Sequence, residues 1–273
     1  MFRTNVSYHS PKPQIYKLSQ LDIAKLSLSP KKQLPLDLNK EQNEDYSRIL
    51  RIKGKISKVG KQSMDSDNLA CLKPKQWLND EVINFYAEMI RQRQEKSFEN
   101  NNDQKVLDCF IHSTFFFSTL ESRGYDKGKL GKWVKKVDIF NKDLVLIPIN
   151  RGQSHWICSC INFKKKRIEI YDSMGGGQLY IFKMLRNYLQ SEHRNKKGAD
   201  FDFNEWIDFW SENTPQQNNG FDCGVFTCMF MNCLSKGLDV DNVVNGFGFN
   251  QDNMSYLRKK LIIEIGTCKF IED

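Results

Sequence analysis

The stretch TPQQNNGFDCGVFTCMF, Thr214 to Phe230, sets polar amides and an Asn-Gly turn directly before a cysteine that opens an apolar run. The run continues through CLSKG, which predicts a buried helix that starts at Cys223 and stops at Gly237. A thiol placed there meets the positive end of the helix dipole, an environment that favours the thiolate. Cys228 and Cys233 follow at five-residue steps, and at about 100° per residue the three sulfurs point to different sides of the helix. They are not a metal cluster, so Cys223 is a candidate nucleophile and the other two are packing residues.

Composition bounds the rest. A chain of 273 residues with 40% hydrophobic content carries one full domain with a core plus an extra segment. The N-terminus MFRTNVSYHSPKPQIYK lacks the apolar stretch of a secretory signal, and no run approaches the roughly 18 apolar residues of a membrane span. These features predict a soluble intracellular protein of the nucleus and/or cytoplasm. The eight cysteines contain no C-x-x-C pair, so they read as free thiols in a reducing compartment, without zinc. Cys158 and Cys160 alternate as two residues on one face of a strand.

Charge is placed unevenly. The first 60 residues hold 12 Lys/Arg against 5 Asp/Glu, or +7, while the rest hold 29 (41 − 12) against 28 (33 − 5), or +1. Residues 1–47 therefore read as a basic, disordered arm and residues 48–273 as the folded domain. The pieces SPKKQ and RILRIKGKISK could serve nuclear import or weak phosphate contacts with nucleic acid; a tail that only aids solubility is the plainer reading.

Within the domain, WLNDEVINFYAEMIRQR has helical spacing with Asn79 and Asp80 as N-cap candidates. CFIHSTFFFSTLESRG reads as a second helix closed by Gly124. LVLIPIN reads as a buried strand, and HWICSCINF and RIEIYDS as a hairpin joined by KKK. LYIFKMLRNYLQ is helical, FDFNEWIDFW supplies a strand, and NMSYLRKKLIIEIG a last amphipathic helix.

Of the histidines, His9 lies in the arm, His112 in the Phe-rich segment and His193 in a charged loop, whereas His155 opens a strand after a loop. Asp172 closes the partner strand. If Phe163 pairs with Ile168, Asp172 faces Ser159, on the face of His155 but a few residues short of it. An imidazole beside the thiol and a carboxylate on its other nitrogen would complete a nucleophilic apparatus. Gln217 is placed to offer a side-chain N–H beside the Cys223 backbone N–H as an oxyanion hole. Gly224 keeps the nucleophile's flank small.

The segments WLNDEVINFY, QSHWICSCINFKKKRIEIYDS and TPQQNNGFDCGVF, in this order across roughly residues 65–235, resemble the ubiquitin-like-protein proteases, the Ulp or sentrin-specific family that processes and removes SUMO. The resemblance implies an α+β, papain-like cysteine protease fold, with a mixed sheet flanked by helices and the catalytic Cys at a helix N-terminus. It implies His155, Asp172 and Cys223 as the triad, with Gln217 as the oxyanion residue. Trp77 and Trp156 match the tryptophans that flank the passage for the modifier's Gly-Gly tail, and Asp80 matches a carboxylate that pairs with a modifier arginine. Core packing for the tryptophans and an N-cap for Asp80 are the structural alternatives. The implied partner is SUMO or a relative and its conjugates, met by a monomer that needs no metal, cofactor or membrane. A protease directed at NEDD8 and, further off, a YopJ-type acetyltransferase are the other readings.

Overall fold

A computed structural model describes residues 14–15, 34–99, 107–176, 178–238, 240 and 247–272. A two-residue strand, β1 (Gln14–Ile15), is the only described part of the first 33 residues, so the expectation of disorder there lies otherwise outside the described residues. Helix α1 (Lys40–Arg51) begins at a reciprocal cap, in which the Asn39 side chain accepts from Gln42 N and the Gln42 side chain accepts from Asn39 N. The expected arm–domain boundary at residue 47 falls inside this helix. The helix buries Ile49 completely against Gly266, and Asp37 before it pairs with Lys259 at 2.6 Å. Residues 34–47 thus belong to the packed body; their high charge marks a solvated helix face.

A hairpin, β2 (Lys55–Val59) and β3 (Gln62–Asp65), follows. The chain then turns through residues 66–72 into α2 (Asp80–Glu99), which buries Val82, Ile83, Phe85, Tyr86, Met89 and Ile90 at helical spacing. Next comes a correction to the sequence reading: Cys109–Ile111 is a strand, β4, and the helix, α3, starts only at Phe115. Ile111 is spent pairing with Leu146 of the next strand, so tertiary pairing overrides local helical spacing here. Gly124 does not close α3; with φ 69° it kinks the helix, which runs on to Lys127.

Strands β5 (Leu144–Arg151), β6 (His155–Asn162) and β7 (Arg167–Tyr171) form an antiparallel meander. Helix α4 (Leu179–Lys197) leads to β8 (Ile207–Trp210), parallel to β7. Helices α5 (Cys223–Ser235) and α6 (Met254–Thr267) complete the order. The mixed sheet runs β1-β8-β7-β6-β5-β4, with β4 parallel to β5 and β1 parallel to β8.

Both faces of this sheet are covered. On β6, Trp156, Cys158 and Cys160 pack with α2, α5 and α6, while Ile157 and Ile161 pack with α3 and α4. Burial on two sides explains why β5 is apolar without alternation from Leu144 to Ile149. Because α5 lies on β6, the helix that starts at Cys223 is laid beside the strand that starts at His155.

Candidate active site

His155 and Asp172 meet through the hairpin, and closer than its expected register allowed. The closing pair is Asn162↔Arg167, with Ile161 opposite Ile168, a register shifted by two residues from the Phe163–Ile168 pairing. The shift leaves Asp172 just past the Tyr171↔Cys158 pair, two residues nearer the start of β6. His155 Nε2 then lies 2.6 Å from Asp172 Oδ1. A carboxylate only accepts, so Nε2 carries the hydrogen and the neutral ring keeps its lone pair on Nδ1. Nδ1 is buried without a formed hydrogen bond, and the Cys223 side chain acts on the same ring. Burial pulls the His155 pKa down, but the Asp172 hydrogen bond and the influence of Asp172 and Cys223 on the ring outweigh it and raise the pKa to about 9.

Asp172 is itself fixed. Its Oδ1 also accepts from Met174 N at 2.9 Å, and its Oδ2 accepts from Gln178 Nε2 at 3.2 Å. Gly175 (φ 80°) and Gly176 (φ 98°) give the chain the left-handed path that brings Gln178 back to it. Ser173, which sequence reasoning missed, reaches the other half of the site. Its hydroxyl donates to Gln217 Oε1 at 2.7 Å and its carbonyl accepts from Gln217 N at 2.7 Å. Gln217 Nε2 donates to Asn219 O, which orients the amide, since that carbonyl can only accept. One amide hydrogen remains for a further acceptor.

The turn before Cys223 is built by Asn219, whose Oδ1 accepts from Phe221 N at 3.0 Å and Asp222 N at 3.1 Å. Cys223 is buried at 2% exposure. Gly224 is packed under Leu78, where an added Cβ would stand 2.6 Å from Leu78 Cβ. The two tryptophans hold this seam from either side. Trp77 is half-exposed and donates Nε1–H to Gly220 O at 2.7 Å; Trp156 is buried and donates to Leu78 O at 2.8 Å. Each indole N–H is tied to the surroundings of Cys223, and Trp156 is packed in the core as well.

Asp80 is not the helix cap. Asn79 Oδ1 accepts from Val82 N at 3.0 Å and does that work, and the Asp80 carboxylate has no hydrogen-bond or ion-pair partner among the described residues. His112 is a core residue, stacked 3.6 Å from the Phe116 ring centroid, and burial pushes its pKa down to about 3. All eight cysteines are free; burial raises the thiol pKa of Cys109, Cys158, Cys160 and Cys228, unlike a nucleophile's requirement. No group of three or more His, Cys, Asp or Glu gathers into a metal site among the described residues, and none of their helices is long and apolar enough to cross a membrane.

Comparisons with known proteins agree on one family. Residues 76–269 match the model of the Ulp1 protease family, C-terminal catalytic domain. The chain is 38% identical over 204 residues to a sentrin-specific protease of Caenorhabditis elegans, covering 75% of this chain and 27% of that protein. It is 34% identical over 212 residues to Sentrin-specific protease 2 of Homo sapiens, covering 77% of this chain and 33% of that protein. The chain thus spans a minor part of the length of these relatives. Among solved structures, the C-terminal Ulp1 protease domain in complex with Smt3, the yeast orthologue of SUMO, superposes with TM-score 0.67 at 26% identity, covering 88% of this chain and 98% of that one. The catalytic domain of the Chaetomium thermophilum Ulp1-like SUMO protease has the same fold, with TM-score 0.70 at 22% identity, covering 90% and 96% of the two chains.

Proposed function

Because the chain belongs to the Ulp1 protease family, we propose that it is a cysteine peptidase and isopeptidase that cuts after the C-terminal Gly-Gly of SUMO. The observation that carries the reading is the 2.6 Å contact between His155 Nε2 and Asp172, in a ring whose Nδ1 is buried without a hydrogen-bond partner and whose pKa the Cys223 side chain helps to raise. His155, its pKa raised to about 9, holds the thiol proton on Nδ1 as an imidazolium, and the Cys223 thiolate attacks the carbonyl carbon of the terminal glycine. The Cys223 backbone N–H and the free amide hydrogen of Gln217 hold the oxyanion. As the C–N bond breaks, the imidazolium gives its proton to the leaving amine, which is a substrate lysine in deconjugation or the extension's amine in maturation. Water, deprotonated by His155, then attacks the thioester; collapse expels the Cys223 thiolate and frees the modifier.

Trp77 and Trp156 flank the tail in this reading, and the free Asp80 carboxylate meets an arginine of the modifier. The enzyme acts inside the cell, in the nucleus and/or cytoplasm, as a monomer whose catalytic unit follows a basic arm. The test is cleavage of a SUMO-fused reporter by the wild type and by Cys223→Ser, alongside SUMO and NEDD8 probes carrying a C-terminal electrophile. Cleavage lost in Cys223→Ser and labelling by the SUMO probe are expected. Labelling by the NEDD8 probe alone would overturn the choice of modifier, and an inactive, folded wild type would overturn the activity.

A further inference from the structure

The residue before the nucleophile is held in an unusual way. Asp222 occupies the N-cap position of α5, where an aspartate ordinarily accepts from the first-turn N–H groups, yet its side chain makes no such bond. Its Oδ1 instead accepts from Arg258 of α6, 2.8 Å from Nε and 2.7 Å from NH2, in a buried ion pair. Its Oδ2 accepts from Asn219 Nδ2 at 2.8 Å and Gln251 Nε2 at 2.9 Å.

Arg258 spends its other donors on the chain around the site. NH1 reaches the carbonyls of Cys71 at 3.4 Å and Lys73 at 3.1 Å, while NH2 reaches those of Gln76 at 2.8 Å and Phe221 at 2.9 Å. All five N–H groups of the guanidinium have an acceptor. The same group therefore fixes the segment that enters Trp77 and the turn that enters Cys223, which also meet at the Trp77–Gly220 bond. Packing does not fix that turn from behind: a cavity of 320 Å³ opens there, lined by Phe221, Asp222, Gln251 and Arg258.

We infer that Arg258 is a positioning residue for the thiol chemistry: it draws the Asp222 carboxylate away from the first turn of α5 and so keeps a negative charge off Cys223 and off the oxyanion held at its backbone N–H. The inference rests on reading Cys223 as the nucleophile. Without Arg258 only Asn219 and Gln251 hold the carboxylate, and it is able to swing back toward the N–H groups of Gly224 and Val225 that a cap would take. There its charge opposes both the thiolate and the oxyanion held at the Cys223 N–H. Asp222 faces Arg258, Gln251 and Asn219; Lys75, Asp252 and Lys259 line the cavity beyond, and Cys223 faces His155 backed by Asp172.

The experiment follows alkylation of Cys223 by iodoacetamide against pH in the full chain, read by mass spectrometry of its peptide, together with kcat and KM on the SUMO reporter. In Arg258→Met the acid limb of alkylation moves up by about one pH unit. In the same variant kcat falls at least about tenfold, less than the loss of a whole oxyanion donor. Arg258→Met/Asp222→Asn, which removes both charges, returns the limb toward the wild type. Arg258→Gln, neutral but still a donor, replaces Arg258→Met if the latter does not fold, with the same shift expected. A limb that stays in place while only the thermal midpoint falls, or a double variant that restores nothing, overturns the inference. A wild-type thiol that alkylates no faster than a free cysteine at acid pH overturns the nucleophile reading itself, a different result from an unshifted limb.

Discussion

Replacing Asp172 by asparagine keeps the shape of the acid and removes its charge, so it isolates what the 2.6 Å contact does to the imidazole. Burial alone depresses the His155 pKa; Asp172 and Cys223 together lift it to about 9 from an ordinary 6.5. At pH 8 a group with pKa near 9 is about 90% protonated and one at 6.5 about 3%, so losing the lift removes roughly 30-fold of the imidazolium. Imidazolium is the form that protonates the leaving amine, and the alkaline limb of kcat/KM is expected to move down from near pH 9 toward 6.5 by the share of the lift that Asp172 supplies. The assay is kcat/KM on the SUMO reporter from pH 5.5 to 10, with folding checked at each pH. The sign for stability follows from the same shift. A histidine raised above its unfolded pKa contributes fully below pH 6.5 and loses that contribution as pH rises through about 9. Asp172→Asn should therefore also flatten the fall in denaturant midpoint across that window. An alkaline limb that stays near pH 9 in Asp172→Asn would refute the reasoning, since the carboxylate could not then be what sustains the charge.

Gly224→Ala puts a Cβ 2.6 Å from Leu78 Cβ, and overpacking of this kind is expected to cost about 1–3 kcal/mol and to displace the carbonyl that anchors Trp156, lowering both the thermal midpoint and kcat/KM. Asp80→Ala should leave stability within about 0.5 kcal/mol while raising KM for the modifier, whereas Asn79→Ala should cost about 1 kcal/mol as a lost cap; equal losses of stability in the two would reverse the roles given to them. His112, depressed to about 3, stays neutral in the fold while the unfolded chain gains its proton below 6.5, so its linkage erodes stability as pH falls between those values by up to about 1.4 kcal/mol per unit. Denaturant midpoints at pH 7, 5 and 4 should show a shallower acid slope for His112→Phe than for the wild type.

The residue types of the proposed triad are legible in the sequence because their signals are local: a cysteine at the head of an apolar run, a histidine at the head of a strand, an acid at the end of its hairpin partner. The distance between His155 and Asp172 is not, since it hinges on which residues close the turn, and Asn162↔Arg167 rather than Phe163 with Ile168 decides it. Helix α1 carried a readable Asn39–Gln42 cap, but a mostly charged surface and one buried contact residue, Ile49, hid it in the composition of a basic arm. Cys109–Ile111 was misread because a three-residue strand has too few residues to show a period. Ser173 and Arg258 act through partners 44 and 36 residues away, and no pattern within their own segments marks them. In the run LRKK, nothing distinguishes the buried arginine from the lysines beside it.

The adjacent pair Asp172–Ser173 has a consequence for selectivity. Asp172 holds His155 and Ser173 holds Gln217, so under the proposed mechanism a single peptide unit sets both the proton carrier and the oxyanion amide before any substrate arrives. Such an apparatus has little to adjust from one conjugate to another. Discrimination among attached proteins then belongs to encounter and residence on the enzyme surface, and conjugates that differ in the acceptor protein should spread widely in KM while sharing a nearly common kcat.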